Sequence, residues 1–180
     1  MTQVSVTPES FDMVFYDAAV IGEVVAEVAE RLGLEETINL EIDEGSPLGR
    51  SKIISYDPIE LWVDGGALEN TKRPRQFGTG RARDTLGRLL LRILDRRSGR
   101  FDETPADDDL DLMQFVAWDV HCVGRLNRLG IGGQRQRRLY QFRNRHGFTD
   151  VADAAFEQLW DSSELSWTEI ERISEGCRAS

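Results

Sequence analysis

The sequence predicts an α+β fold whose sheet is confined to the first half of the chain. Apolar and polar residues alternate with a period of two in short runs between positions 38 and 64. Helical spacing of apolar residues brackets those runs, and beyond position 80 only the helical period recurs. The 180 residues suit one domain, read as an α-β-β-β-α unit over 1–100 with a mainly helical extension over 101–180 packed on it.

The first eight residues read as a loose arm. Asp17 is placed to cap a helix in which Val20, Val24, Val25, Val28 and Leu32 recur at helical spacing. Glu23, Glu27 and Glu30 fall on its solvated side, and Gly33 can close it in the left-handed conformation. In TINLEIDE, Ile38, Leu40 and Ile42 alternate with Asn39, Glu41 and Asp43, the period of a half-buried strand. The turn EGSPLG leads to an extended stretch from Lys52 to Tyr56. Asp57-Pro58 breaks it, and Ile59 to Asp64 reads as a third strand ended by Gly65-Gly66. A small sheet of about three strands, packed on helices over one face, follows.

Beyond a polar loop, a helix from about Arg81 to Arg97 carries Leu86, Leu89, Leu90, Ile93 and Leu94 as its buried stripe. SGRFDETPADDD connects it to a helix from about Leu110 to Leu129, apolar nearly all round between Leu112 and Val123 and therefore expected to be buried and central. Glycines 130, 132 and 133 end it. A basic helix runs from Gln134 to about Arg145, and a short one capped by Thr149 or Asp150 ends near Trp160. In the last helix Ser166 and Glu169 match a capping box.

The formal net charge of −10 conceals a segregation. Lys72 to Arg100 holds ten basic residues against Asp84 and Asp95; Arg125 to Arg145 holds seven arginines and no acid. The first seventy residues carry fifteen acids against Arg31, Arg50 and Lys52. A uniformly acidic chain repels nucleic acid, but one with two basic segments need not. Cys122 and Cys177 form no spaced metal or redox pair, so a reducing compartment and a cytoplasmic location are expected. MTQVSVTPESFD lacks the pattern of a signal peptide, and no apolar run approaches the ~20 residues that span a bilayer. No membrane association is expected.

Asp119 and His121 interrupt the apolar run of the central helix. A carboxylate there is costly unless paired. Residues two apart project about 200° from each other, so the two do not share a site. The expectation is a structural ion pair between Asp119 and Arg88 or Arg92. His121, His146 and the two cysteines are not spaced as metal ligands, so neither a metal nor a cofactor is expected. GTGRARDTLG and GIGGQRQRR bring glycines to basic helix starts, yet lack the G-K-[ST] of a phosphate loop. GQRQRRLYQFRNRHGF interleaves arginines with Tyr140, Phe142 and Phe148, as a phosphate-and-stacking surface does. Its candidate binding residues for a phosphate or a partner are Arg135, Arg137, Arg138, Arg143, Arg145 and His146. The competing use of these arginines is internal pairing with Asp107, Asp108, Asp109 and Asp111.

From Phe11 to Gly99 the element order resembles the minimal bacterial zincin-like metalloprotease fold. DPIELWVDGGALE stands where that family has its edge strand, and GRARDTLGRLLLRILDRR where it has its active-site helix. The H-E-x-x-H of the family is absent, so no zinc ligand or catalytic glutamate carries over. The resemblance implies a catalytically dead scaffold whose C-terminal helices bind a partner. A non-enzymatic cytoplasmic interaction protein is the leading expectation, with a protein partner and with Trp62, Trp118, Trp160 and Trp167 as candidate anchors where exposed, Trp118 in the apolar helix being expected inside. The alternatives are a nucleic-acid or phosphate-binding protein working through the arginine-rich helices, and a hydrolase with an unrecognised site in the region of Asp119, His121 and nearby arginines.

Overall fold

The two periods of the sequence become two kinds of element in the computed structural model, which describes residues 1–178. Period two forms strands β2 (Ile38–Asp43), β3 (Ser51–Tyr56) and β4 (Ile59–Asp64). Ile38, Leu40, Ile42, Ile59, Leu61 and Val63 are buried on one face, while Asn39, Glu41, Glu60 and Trp62 occupy the other. The first residues are not a loose arm: strand β1 (Val4–Thr7) pairs in parallel with β2, and the sheet has four strands. Val6 is its one buried residue, and Pro8 follows directly. So short a strand leaves almost no periodic signal.

Across the sheet the order is β1-β2-β4-β3, with β1, β2 and β4 parallel and β3 antiparallel to β4. Helix α1 (Ala18–Arg31) connects β1 to β2 and packs on β1. Asp17 Oδ1 accepts from the Ala19 and Val20 N–H groups at 2.8 and 3.3 Å, and Gly33 ends the helix at φ 75°. The buried face of α1 is Ile21, Val24, Val25, Val28 and Ala29, so the stripe is rotated from the one expected and Val20 is 42% exposed. An alanine packed close to its neighbours buries as completely as a valine, and spacing of the larger residues alone misses it.

The fold is α+β, with six α-helices among the described residues. The chain divides into two compact units, Met1–Leu91 and Arg92–Ser180, and the boundary falls inside helix α2 (Thr79–Arg97). In the second unit helix α3 (Leu112–Arg128) packs on α4 (Arg135–His146), α5 (Asp150–Asp161) and α6 (Trp167–Glu175). Reciprocal capping boxes start α3, at Asp111 and Gln114, and α6, at Ser166 and Glu169. Trp118 stacks on Phe101 at 5.2 Å and meets Trp167 edge-on at 5.8 Å. Trp118, Trp160 and Trp167 are buried, which removes them as exposed partner anchors; Trp62 is half-buried. Among the described residues no helix is long and apolar enough to cross a membrane.

Candidate functional site

Helix α4 sorts its arginines by their spacing. Phe142 and His146, four apart, form the buried edge, with ring planes 3.8 Å apart at centroid and only 6° from parallel. The positions beside that edge reach back to neighbouring helices. Arg138 Nη1 lies 3.7 Å from Asp119 Oδ2 on α3, and Arg143 makes two hydrogen bonds to Asp153 of α5 at 2.8 and 2.7 Å. Arg135 pairs with Glu157, its guanidinium 5.3 Å from the Phe156 ring centre. Three of the six candidate binding residues therefore tie α4 down. His146 is a correction of another kind: it is buried, Nε2 sits 2.8 Å from Ser174 Oγ, and Nδ1 sits 3.2 Å from Phe142 O. The sequence offers His146 as a binding residue at a helix end, but its stacking on Phe142 carries it inside, out of reach of a partner.

What remains outward is a compact patch. Arg137, Tyr140 and Asn144 stand at i, i+3 and i+7, one line along the helix, with Arg145 at its flank. Gly147 adopts φ 101°, which turns the chain so that Phe148 comes back against Tyr140, edge-on at 6.1 Å. Tyr140 is 61% exposed and Phe148 65%. Among the described residues Arg137 and Arg145 have no carboxylate partner.

The polar groups inside α3 are held by structural bonds. Arg92 Nη2 donates to Asp119 Oδ1 at 2.7 Å, with the Arg92 guanidinium 4.2 Å from the Phe115 ring centre. Arg88 bonds Asp84 at 3.2 Å. Asp95 accepts from Arg125 at 2.8 and 2.7 Å and from the Trp118 indole N–H at 2.8 Å. His121 points elsewhere, with Nδ1 3.2 Å from Leu159 O. Burial, and then the nearby Arg125 charge, depresses its pKa to about 4, and burial pushes the Cys122 thiol up to about 12. An imidazole that stays neutral and a thiol that stays protonated suit packing. Ser174 and His146 have the spacing of a hydroxyl beside its base, a pairing invisible in the sequence because it joins α6 to α4. Both are nearly sealed, at 1% and 5% exposure, so the bond fastens two helices. Among the described residues no three histidine, cysteine or acidic side chains are grouped to hold a metal ion.

The depressed His121 pKa sets a pH dependence. The unfolded chain titrates near 6.5 and the folded one near 4, so the unfolded state binds more protons between these values. Stability is therefore full above about pH 6.5 and falls as the pH drops towards 4. Between pH 7 and 5 the loss from this residue is about 2 kcal/mol. The urea midpoint of His121→Gln should vary less over that interval than that of the parent protein. Equal slopes would show that His121 is not held neutral by the fold.

No family model matches this chain, and neither a curated protein nor a solved structure is similar to it.

Proposed function

We propose that this chain is an interaction protein without catalytic activity of its own, and that the outer face of α4 receives a protein partner. The observation that carries this reading is the exposed Tyr140–Phe148 pair flanked by Arg137 and Arg145, two arginines without a carboxylate partner among the described residues. Tyrosine and arginine are enriched among the few residues that dominate binding energy at protein interfaces. The pair offers an apolar anchor, and the arginines fit a partner carrying one or two carboxylates beside an apolar side chain. A zincin-like frame without H-E-x-x-H belongs to the same reading.

Charge favours a protein over a nucleic acid here. Arg92–Ser180 holds thirteen arginines against sixteen acids, and α5 brings Asp150, Asp153 and Glu157 next to α4 in sequence and in packing. A strand with a phosphate at every nucleotide needs a run of uncompensated cations, and Arg135, Arg138 and Arg143 of α4 already face Glu157, Asp119 and Asp153. A partner with one or two placed carboxylates does not need such a run, and charges more than about 8 Å away are screened at physiological salt.

The test is proximity labelling in cells with the parent protein, Tyr140→Ala, Arg137→Glu and a Lys52→Glu control. Partners recovered by the parent and the control should drop about tenfold or more with either patch variant. An unchanged partner set would remove the reading. Salt-sensitive binding of a single-stranded oligonucleotide, lost in the same variants, would replace it with nucleic-acid binding.

A further inference from the structure

A second surface, in the first unit, is independent of α4. Beyond the carboxyl ends of β1, β2 and β4 the loops following the three parallel strands meet around a cleft of about 490 Å³. Ligands of parallel sheets are generally bound outside those ends, and small-molecule sites occupy about 300–1,000 Å³. The floor is built without slack. A Cβ on Gly66 would stand 2.1 Å from Pro47 O and 2.2 Å from Leu48 O, so the β4 loop lies directly on the β2 loop. The Tyr16 hydroxyl donates to Gly65 O at 2.6 Å, and Phe11 meets Tyr16 edge-on at 5.7 Å. At the rim Phe15 is 75% exposed and Met13 58%.

Charge in the cleft comes from Asp12, Glu44 and Glu69 against Arg75. Two of the carboxylates are fixed by backbone. Glu44 Oε2 accepts from the Asp12 and Met13 N–H groups, both at 2.9 Å, and Glu69 Oε1 accepts from Arg75 N–H at 2.5 Å. Neither has an arginine or lysine ion-pair partner among the described residues. Burial first, and then the Glu69 charge, raises the Tyr16 hydroxyl to about 12, so it remains a neutral donor. Met1–Leu91 as a whole holds sixteen acids against nine basic residues, a field that concentrates cations. The carboxylates are not gathered as metal ligands are. Spread negative charge beside exposed aromatic rings suits a diffuse organic cation instead.

We propose that this cleft binds an organic cation, an ammonium or guanidinium on an apolar stem, with its charge facing Glu44 and Glu69 and its stem against Phe15.

The test titrates benzamidine, benzamide and benzoate into the full ¹⁵N-labelled chain, three ligands of one shape and different charge. Benzamidinium should move the amide signals of Gly45, Gly65 and Gly66 and bind at least about fivefold tighter than benzamide, while benzoate leaves them in place. Phe15→Ala and Asp12→Asn, at exposed positions, should each weaken benzamidinium about three- to tenfold with the rest of the spectrum unchanged. Agmatine and Nα-acetyl-argininamide then distinguish a free guanidinium from one carried on a peptide, the tighter binder naming the source. Equal binding of the three ring compounds, shifts away from the cleft, no shift at about 10 mM, or unchanged affinity in both variants overturns the proposal. None of these outcomes bears on the α4 face.

Discussion

Asp95→Ala is expected to destabilise the second unit by about 5 kcal/mol, close to the whole stability of many domains. Asp95 is 2% exposed and accepts three hydrogen bonds, two from Arg125 and one from the Trp118 indole. Truncation leaves Arg125, 13% exposed at its side chain, as a buried cation without its carboxylate, which costs about 3–5 kcal/mol. The Trp118 N–H loses its acceptor in the centre of the Phe101–Trp118–Trp167 cluster, a further ~1–3 kcal/mol. Asp95→Asn keeps an acceptor and removes the charge, so it should fall between. Urea unfolding followed by tryptophan fluorescence checks both. Adding Arg125→Met to Asp95→Ala should recover part of the loss, because the uncompensated cation is then gone. A single-variant loss below about 1.5 kcal/mol would falsify the network as the keystone of this unit.

The contrast between Asp95 and Asp119 shows where sequence reading reaches. Asp119 stands alone in an apolar run, so its need for a partner is visible in the chain, and Arg92 lies 2.7 Å away. Asp95 sits among Arg92, Arg96 and Arg97 and is read as a minor acid in a basic segment. Its carboxylate belongs to Arg125, thirty residues on, and a one-dimensional charge count cannot hold that pairing. The basic segments illustrate the same limit. Helical spacing separates the face of α4 that carries Phe142 from the face that carries Tyr140. Which arginines that leaves for a partner depends on where Asp119, Asp153 and Glu157 arrive from other helices.

Local chemistry was the legible part of the fold. The caps Asp17, Thr149 and Ser166 and the strands of TINLEIDE and IELWVD each rest on residues within a few positions of one another. Strand β1 was not legible, because its identity comes from pairing with Ile38–Glu41, more than thirty residues distant. The cleft of the first unit was hidden for the same reason, since its three loops follow strands that only the sheet order brings side by side. Glycines 65 and 66 did register, as the end of a strand. Their further role, letting one strand-end loop lie on another, appears only when the atoms a side chain would strike are known.

Gly124→Val should cost the second unit about 3 kcal/mol, although on helix propensity alone replacing a mid-helix glycine by any residue but proline is favourable, by up to ~1 kcal/mol for alanine. The sign reverses because of what lies opposite. A Cβ at Gly124 would stand 2.2 Å from Trp160 O and 2.9 Å from Trp160 C and Cα, all backbone of α5, which cannot swing aside as a side chain can. Helices α3 and α5 would have to separate by about 1 Å, loosening packing that is close to crystal density. The separation also strains the bond of Arg128 to Trp160 O and the contact of His121 with Leu159 O, one residue away. Gly124→Ala carries the same clash without the extra methyls and should already lose more than about 1 kcal/mol. An alanine variant as stable as the parent would show that α3 and α5 are not held at backbone contact. The consequence for binding follows from α4 being fastened to α5 through Arg143–Asp153 and Arg135–Glu157. A shift of α5 moves the support of Tyr140 and Arg137, so Gly124→Val should weaken a partner on the α4 face while touching none of its residues.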